Sequence, residues 1–290
     1  MGKIAILCVP GCTQTVNTLT YFQKNGVPVS LVLIETAIRQ RYSAAELQMQ
    51  AALQEFRKAL SPENQNGANG KKSLPKALWL SLPVGVRDRV KGMMPGVVAN
   101  REPVAKLARE LDVPVVYVQK HSSEEAKRAL EQHGISYALL GSSNWLIKEP
   151  LLSMTDTKVI NAHCARLPRH RSLDSLPWSV MEGDQVGLTT HFVDAGIDTG
   201  PILKFLEVTP QPGDTLVTLR QRVNDKTPEL FLSSVRGLED KTIVPKPQSA
   251  TDGIHHRPMT LEQLLEAERV LQQQISMRGD NVATRAQEGT

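Results

Sequence analysis

Cysteine is scarce in this chain: Cys8, Cys12 and Cys164 are the three present in 290 residues. An odd, small number at this length gives no disulfide framework, so a reducing, cytoplasmic setting is expected. Long hydrophobic runs are missing too. Nothing approaches the roughly 18 consecutive apolar residues that a membrane span needs, so no membrane partner is expected. The apolar run Ile4 to Val9 is shorter than an export signal's core and stops at Pro10-Gly11. Gly2 does not make a myristoylation site, because Ile6 stands where Ser or Thr is needed. Neither sign of charge dominates: 34 Lys+Arg against 30 Asp+Glu give +4, which argues against a nucleic-acid partner and leaves any basic surface local. With 40% hydrophobic and 22% charged residues, the chain is not a disordered tail and can bury a sizeable core.

What is present is an α/β rhythm. Ile4–Val9, Val16–Lys24 and Val27–Glu35, punctuated by Pro10-Gly11 and Gly26, read as a strand, a helix and a strand. Ser43 and Glu46 form a capping box, and Met49, Leu53, Phe56 and Leu60 follow at helical spacing, predicting an amphipathic helix over Ser43–Leu60. Residues 61–72 are polar and Gly/Asn-rich, the composition of an exposed, mobile loop. Leu74–Asn100 is broken by Pro75, Pro83 and Pro95 and is placed only loosely.

The rhythm resumes with a helix from Glu102 to Leu111, a strand Val113–Val118, a helix capped by Ser122 with Glu125 and closed near Gly134, and a strand Tyr137–Gly141. A short helix, the strand Lys158–His163, a helix ending near Gly183 and the strand Gly187–Val193 follow. Asp214 is expected to cap a helix through Val223, Thr227-Pro228 to start another, and Thr260 with Gln263 to cap a last one carrying Leu261, Leu264, Leu265 and Leu271. The division expected is one α/β domain over residues 1–240 and an extension, 241–290, with one helix and a flexible tail. That extension is too short for a substantial second core.

Strand alternation puts Asn161 and His163 on one side of the strand Lys158–His163. Histidine exchanges protons near neutrality, and an Asn amide can donate to a carbonyl oxygen that is gathering negative charge, a pairing suited to acyl transfer. The loop Asp194-Ala195-Gly196-Ile197-Asp198-Thr199-Gly200 follows the next strand, and Asp198 can orient His163 or stabilise its charge. Singly, a strand histidine is more simply a structural hydrogen-bonder and an Asp in a glycine loop a turn former. The combination points to chemistry.

Asn161-Ala162-His163, Leu167-Pro168, Arg171, Trp178, Gly183-Asp184, Gly187 and the run from Asp194 to Leu203 resemble the folate-dependent formyltransferases, which include glycinamide ribonucleotide, methionyl-tRNA and sugar-nucleotide N-formyltransferases. The likeness is dense over about residues 137–220. It implies a Rossmann-like formyltransferase fold, a mostly parallel sheet with helices on both faces and a short helical C-terminal extension. It also implies 10-formyltetrahydrofolate as donor, a small-molecule primary amine as acceptor, an amino sugar nucleotide being the leading choice, and no metal. The catalytic roles fall on Asn161, His163 and Asp198. Backbone of the loops Ser143, Asn144, Trp145, Leu146, Ile147 and Asp194, Ala195, Gly196, Ile197 is expected to hold the pterin. A homodimer is compatible with this reading. A methionyl-tRNA formyltransferase, a hydrolase acting on the same donor and a catalytically silent folate-binding protein stay open. The tRNA enzyme's usual C-terminal β-barrel needs more than the 50 residues after 240.

Two features depart from the family pattern: Cys164-Ala165 follow the histidine where Pro-Ser is usual, and Ser172 replaces a glycine. Cys164 as a nucleophile is disfavoured, since its side chain leaves the strand on the face opposite His163. Acceptor contacts are expected from Gly11 and Thr13 in the first strand-to-helix turn, although an ordinary cap by Thr13 or Thr15 is the simpler reading there. Arg166, Arg169 and Arg171 are expected to meet an acceptor phosphate or carboxylate, or else to form a solvated basic loop. Asp174 is read as an amine contact or a helix cap. Cys8 and Cys12 lack partners for a zinc site, and His255-His256 are adjacent rather than spaced as ligands.

Overall fold

The computed structural model describes residues 1–37, 51, 52, 54–56, 103–143, 145–171 and 175–288. The expected loop 61–72, the segment Leu74–Asn100, Asn144 and Asp174 lie outside them. Of the expected Ser43–Leu60 helix, residues 51, 52 and 54–56 are described and helical.

The strands are β1 (Lys3–Cys8), β2 (Leu31–Glu35), β3 (Val115–Val118), β4 (Ile135–Leu140), β5 (Lys158–His163), β6 (His170–Arg171), β7 (Gly187–Phe192), β8 (Ile202–Glu207) and β9 (Ile254–His255). The helices are α1 (Thr13–Lys24), α2 (Pro103–Glu110), α3 (Glu124–His133), α4 (Ser175–Met181), α5 (Leu216–Asp225), α6 (Thr227–Glu239) and α7 (Leu261–Glu288). Among the described residues, one sheet runs β3-β2-β1-β4-β5-β7-β8, and β6 pairs with β9 in a second. Strands β1 to β5 are mutually parallel, while β7 is antiparallel to both β5 and β8. Strand order reverses between β1 and β4, the switch point at which open α/β sheets leave a crevice.

Burial on both faces explains the near-continuous apolar runs of β1 and β2. On one face Ile4, Ile6, Ile34, Leu139 and Ile160 pack with Phe22 of α1, Val104 of α2 and Phe231 of α6. On the other, Ala5, Leu7, Leu33, Ala138 and Val159 pack with Leu130 of α3 and with Ile147, Leu151 and Met154 from the loop after β4. A third cluster joins Leu176 and Val180 of α4, Leu219 and Val223 of α5, and Leu264, Ala267, Leu271 and Ile275 of α7, with Phe56 buried among them.

The extension is thus part of the packing. Its last helix also completes two others: Glu268 Oε2 accepts the Leu216 N–H at 2.7 Å at the start of α5, and Gln274 Nε2 donates to Val180 O at 2.9 Å near the end of α4. Such helix-end groups have no partner within their own helix. The Thr260–Gln263 cap forms reciprocally, at 2.9 and 3.3 Å, and residues expected in a flexible tail are helical to Glu288.

Local capping departs from expectation in three places. Ser123, not Ser122, caps α3, accepting from Ala126 N, while the Ser122 hydroxyl accepts from Lys148 N. Thr215, not Asp214, caps α5, because Asp214 turns its carboxylate to Gln211 N and Arg222. Cys12 occupies the cap position of α1 with no side-chain bond, so neither Thr13 nor Thr15 serves there. The described residues between β4 and β5 form turns rather than a short helix.

Candidate active site

Because β5 and β7 run antiparallel with Asn161 opposite His191 and His163 opposite Thr189, alternation sends Asn161, His163 and His191 out of the same face of the sheet. Val159, two residues earlier on that face, belongs to the cluster holding Ile147, against which Val193 also packs. The loops after β4 and β7 therefore lie along the face that carries the polar residues. The β7 loop turns back over it with Asp198 at φ +56°, and Asp198 reaches His163 Nδ1 at 3.4 Å and His191 Nε2 at 3.5 Å.

The protons can be placed by elimination. His163 Nε2 lies 2.9 Å from the His170 carbonyl, which can only accept, so Nε2 carries hydrogen and the neutral ring turns its Nδ1 lone pair to Asp198. His191 Nδ1 lies 2.7 Å from the Phe192 carbonyl, so its Nε2 is an acceptor. Only the amide nitrogen of Asn161 can face it, and Nδ2 does so at 3.2 Å. Burial pushes the His163 pKa below the ordinary imidazole value, with Asp198 opposing and His191 reinforcing the shift. The result is a neutral base beside a carboxylate that stabilises its protonated form.

The three residues expected to be catalytic thus converge, linked by His191, which the sequence reading passed over. Its signal was visible: Thr189 and His191 alternate on a strand that leads into the Asp194 loop. Cys164 donates to Asn224 Oδ1 at 3.0 Å, and burial raises its pKa, so the thiol is held protonated and directed away from the cluster.

In the loop after β4, the Ser143 hydroxyl contacts the Trp145 carbonyl at 2.8 Å, Glu35 Oε2 at 3.1 Å and His121 Nδ1 at 3.3 Å. Glu35 and His121 are each 1% exposed and anchor the loop's base; the charge closing the apolar run of β2 was the overlooked hint. Lys120 Nζ sits 4.3 Å from the centre of the Trp145 ring. With Ser143 engaged inside the protein, this loop offers a ligand its backbone and the exposed Leu146 side chain, while the β7 loop offers exposed Ile197. Asp194 accepts from Gly196 N and Thr199 Oγ1 within its own turn, and Ala195 is exposed.

Gly11 makes the β1–α1 turn at φ +74°, with Thr13 exposed in the first turn of α1. Arg166 bonds Gln185 and stands over Phe205. Arg169 pairs with Glu182 at 2.9 Å and Asp184 at 3.2 Å. Arg171, 1% exposed, donates to Gln248 Oε1 at 3.1 Å and to Ser249 O at 2.9 Å. Arg171 is thus a buried tie to the C-terminal segment rather than a ligand contact.

His170, Glu182 and His256 bring three ligand-type atoms within 4.8 Å of one another. Hydrogen bonds account for this arrangement: His170 Nε2 lies 2.7 Å from Asp184, its Nδ1 lies 2.9 Å from His256 Nε2, and Arg169 neutralises Glu182.

A structure of glycinamide ribonucleotide transformylase 1 from Symbiobacterium toebii superposes with a TM-score of 0.52 at 17% identity, covering 88% of this chain and 93% of that one. Phosphoribosylglycinamide formyltransferase from Bacillus halodurans gives 0.51 at 17% identity, covering 83% and 97%. These likenesses establish the fold. In sequence, the methionyl-tRNA formyltransferase of Desulfotalea psychrophila is 31% identical over 157 residues, 54% of this chain and 48% of that protein. That of Koribacter versatilis is 29% identical over 183 residues, 62% and 56%. The chain spans about half the length of the relatives it matches. The formyl transferase family model matches residues 85–235, a stretch that holds Asn161, His163, His191 and Asp198 together, and on that match the chain belongs to the formyl transferase family.

Proposed function

We propose that this protein transfers a formyl group from 10-formyltetrahydrofolate to the primary amine of a small molecule. The observation that carries the reading is the continuous cluster Asn161, His191, Asp198 and His163, with His163 in the tautomer that presents Nδ1 as a base. The donor's flat pterin suits two loops that present backbone together with exposed Leu146 and Ile197. The folate supplies a formyl carbon bonded to nitrogen.

The chain's own residues do the rest. The second amide hydrogen of Asn161, whose first is committed to His191, faces the oxygen that gains negative charge during attack. His163 Nδ1 takes the proton lost by the attacking amine, Asp198 stabilises the imidazolium, and the same proton returns to the departing folate nitrogen. One carbon–nitrogen bond forms, one breaks, and no net proton is consumed.

Residues 241–288 pack on the catalytic unit as β9 and α7. An amino sugar nucleotide remains the leading candidate. The methionyl-tRNA relatives favour a second reading, with aminoacyl-tRNA as acceptor. The test is incubation with 10-formyltetrahydrofolate and a panel of amino sugar nucleotides, glycinamide ribonucleotide and methionyl-tRNA, read by the mass of one added formyl group. Modification of a small amine supports the proposal, and modification of the tRNA alone moves the assignment to the second reading. Formate release without an amine identifies a hydrolase; binding without turnover identifies a silent module.

A further inference from the structure

We infer that Gln248 and His256, which lie beyond the family-matched stretch, are positioning residues that hold the candidate catalytic histidine from both sides. The inference rests on the proposed function for its catalytic meaning, but its structural content stands apart from it.

His163 has one anchor at each ring nitrogen, Asp198 at Nδ1 and the His170 carbonyl at Nε2. The C-terminal segment grips both anchors. Gln248 Nε2 donates to the carbonyls of Asp198 at 3.2 Å and Gly200 at 2.5 Å, while its Oε1 accepts from buried Arg171. Asp198 adopts a left-handed φ of +56°, a conformation uncommon for residues with a side chain though one that Asp tolerates. Gln248, tied at both ends of its amide, bridges the turn that carries it.

The second anchor is held through a chain of imidazoles. The Asp184 carboxylate, 2.7 Å from His170 Nε2, fixes a hydrogen there, so His170 Nδ1 is an acceptor and His256 Nε2 is its donor at 2.9 Å. The His256 ring lies flat against Trp178, with centroids 4.6 Å apart and planes 13° apart. Parallel pairing of β6 with β9, His170 opposite Ile254 and Arg171 opposite His255, locks the backbone that carries the His170 carbonyl. Gly253 makes this possible: a Cβ there would collide with the Pro168 carbonyl.

The chemical consequence concerns the tautomer. With the His170 carbonyl in place, hydrogen sits on Nε2 and Nδ1 is basic. If the His170 carbonyl drifts, the ring can instead place its hydrogen on Nδ1 and donate to Asp198, and the base is lost; if Asp198 drifts, the hydrogen stays on Nε2 and the imidazolium loses the charge that stabilises it.

Two-bond proton–nitrogen NMR of the 290-residue chain carrying ¹⁵N-histidine, at a pH where the ring is neutral and then through its titration, reads both effects, with His163 assigned from its loss in His163→Gln. Wild type is expected to show hydrogen on Nε2. His256→Phe, which retains the stack on Trp178, is expected to shift His163 toward the Nδ1 form, whereas Gln248→Ala, by loosening Asp198, is expected to leave the hydrogen on Nε2 and lower the pH at which His163 titrates in the same spectra. In both, kcat falls about tenfold with little change in KM for the folate. His256→Gln, whose amide still donates to His170, should restore the wild-type pattern. An unchanged His163 titration midpoint in Gln248→Ala overturns the Gln248 role. An unchanged tautomer in His256→Phe, or failure of His256→Gln to rescue, overturns the His256 role, and an Nδ1 hydrogen in wild type overturns both. Because the NMR needs no substrate, a chain with the expected tautomers and no transfer to any amine would refute the proposed function while leaving the positioning intact.

Discussion

Asn161 and His191 stand opposite each other on neighbouring antiparallel strands, and the amide Nδ2 of one lies 3.2 Å from the imidazole Nε2 of the other. This contact decides which end of the Asn161 amide can meet an oxyanion. His191→Phe removes the acceptor and frees the amide to rotate, so turnover should fall by about 10²-fold, as for a lost oxyanion donor. His191→Gln, which can still present an oxygen to the Asn161 N–H, should lose less. Steady-state kinetics on the two variants with the established acceptor checks the ordering.

Asp198→Asn should lower turnover at least about 100-fold, the scale of losing a general-base partner. The pH profile carries further information. Burial disfavours the imidazolium of His163, so the acid limb of kcat/KM should have its midpoint below the ordinary value of about 6.5. Since Asp198 works against that shift, its neutral replacement should move the limb to lower pH still. A limb above the ordinary imidazole value would contradict the assignment of His163 as the base.

Acid should also weaken the fold before carboxylates titrate. His121 is buried between β2 and the loop after β4, and burial lowers its pKa against the opposing pull of Glu35. Between the lowered folded value and the unfolded value of about 6.5 the unfolded chain binds more protons, so stability declines as pH falls through that window. Urea midpoints measured from pH 7.5 down to 5.5 should fall in wild type and fall less in His121→Asn.

Leu271 of α7 is fully buried with α4 and α5. Leu271→Ala should destabilise the whole protein by about 2–5 kcal/mol. The sharper expectation concerns cooperativity. If α7 belongs to the same folding unit, chemical denaturation of the variant remains a single transition, and far-UV and near-UV signals coincide.

Gly200 lies where an added Cβ would strike the Phe192 carbonyl. Gly200→Ala should therefore displace the turn that carries Asp198, costing activity far more than stability. Activity and thermal midpoint measured on the same preparation separate the two effects.

The strand that bears the chemistry was legible from Lys158 to His163 residue for residue, because a polar alternation inside an apolar strand is a local signal. The presence of β1 and β2, the helix begun by Thr227-Pro228 and the Thr260–Gln263 cap were legible because apolar runs, a Pro at a helix start and a capping pair are local signals too. The long-range partners were not. Nothing near Gln248 in the sequence announces that its amide closes on Asp198, 50 residues earlier, and the adjacency of His255 and His256 hid the fact that one of them meets His170. The arginines stayed ambiguous for a related reason: a cluster of positive charge looks the same whether it faces a ligand or, as for Arg169, two carboxylates 13 and 15 residues away.

The side chains that α7 lends to its neighbours impose an order of events during synthesis. A ribosome that has released residues up to 260 has made all of α5, yet the donor at Leu216 still lacks the Glu268 carboxylate that will receive it. Arrested nascent chains of that length should be nicked by protease near residues 214–216, and the cut should disappear once translation has carried the chain past Gln274.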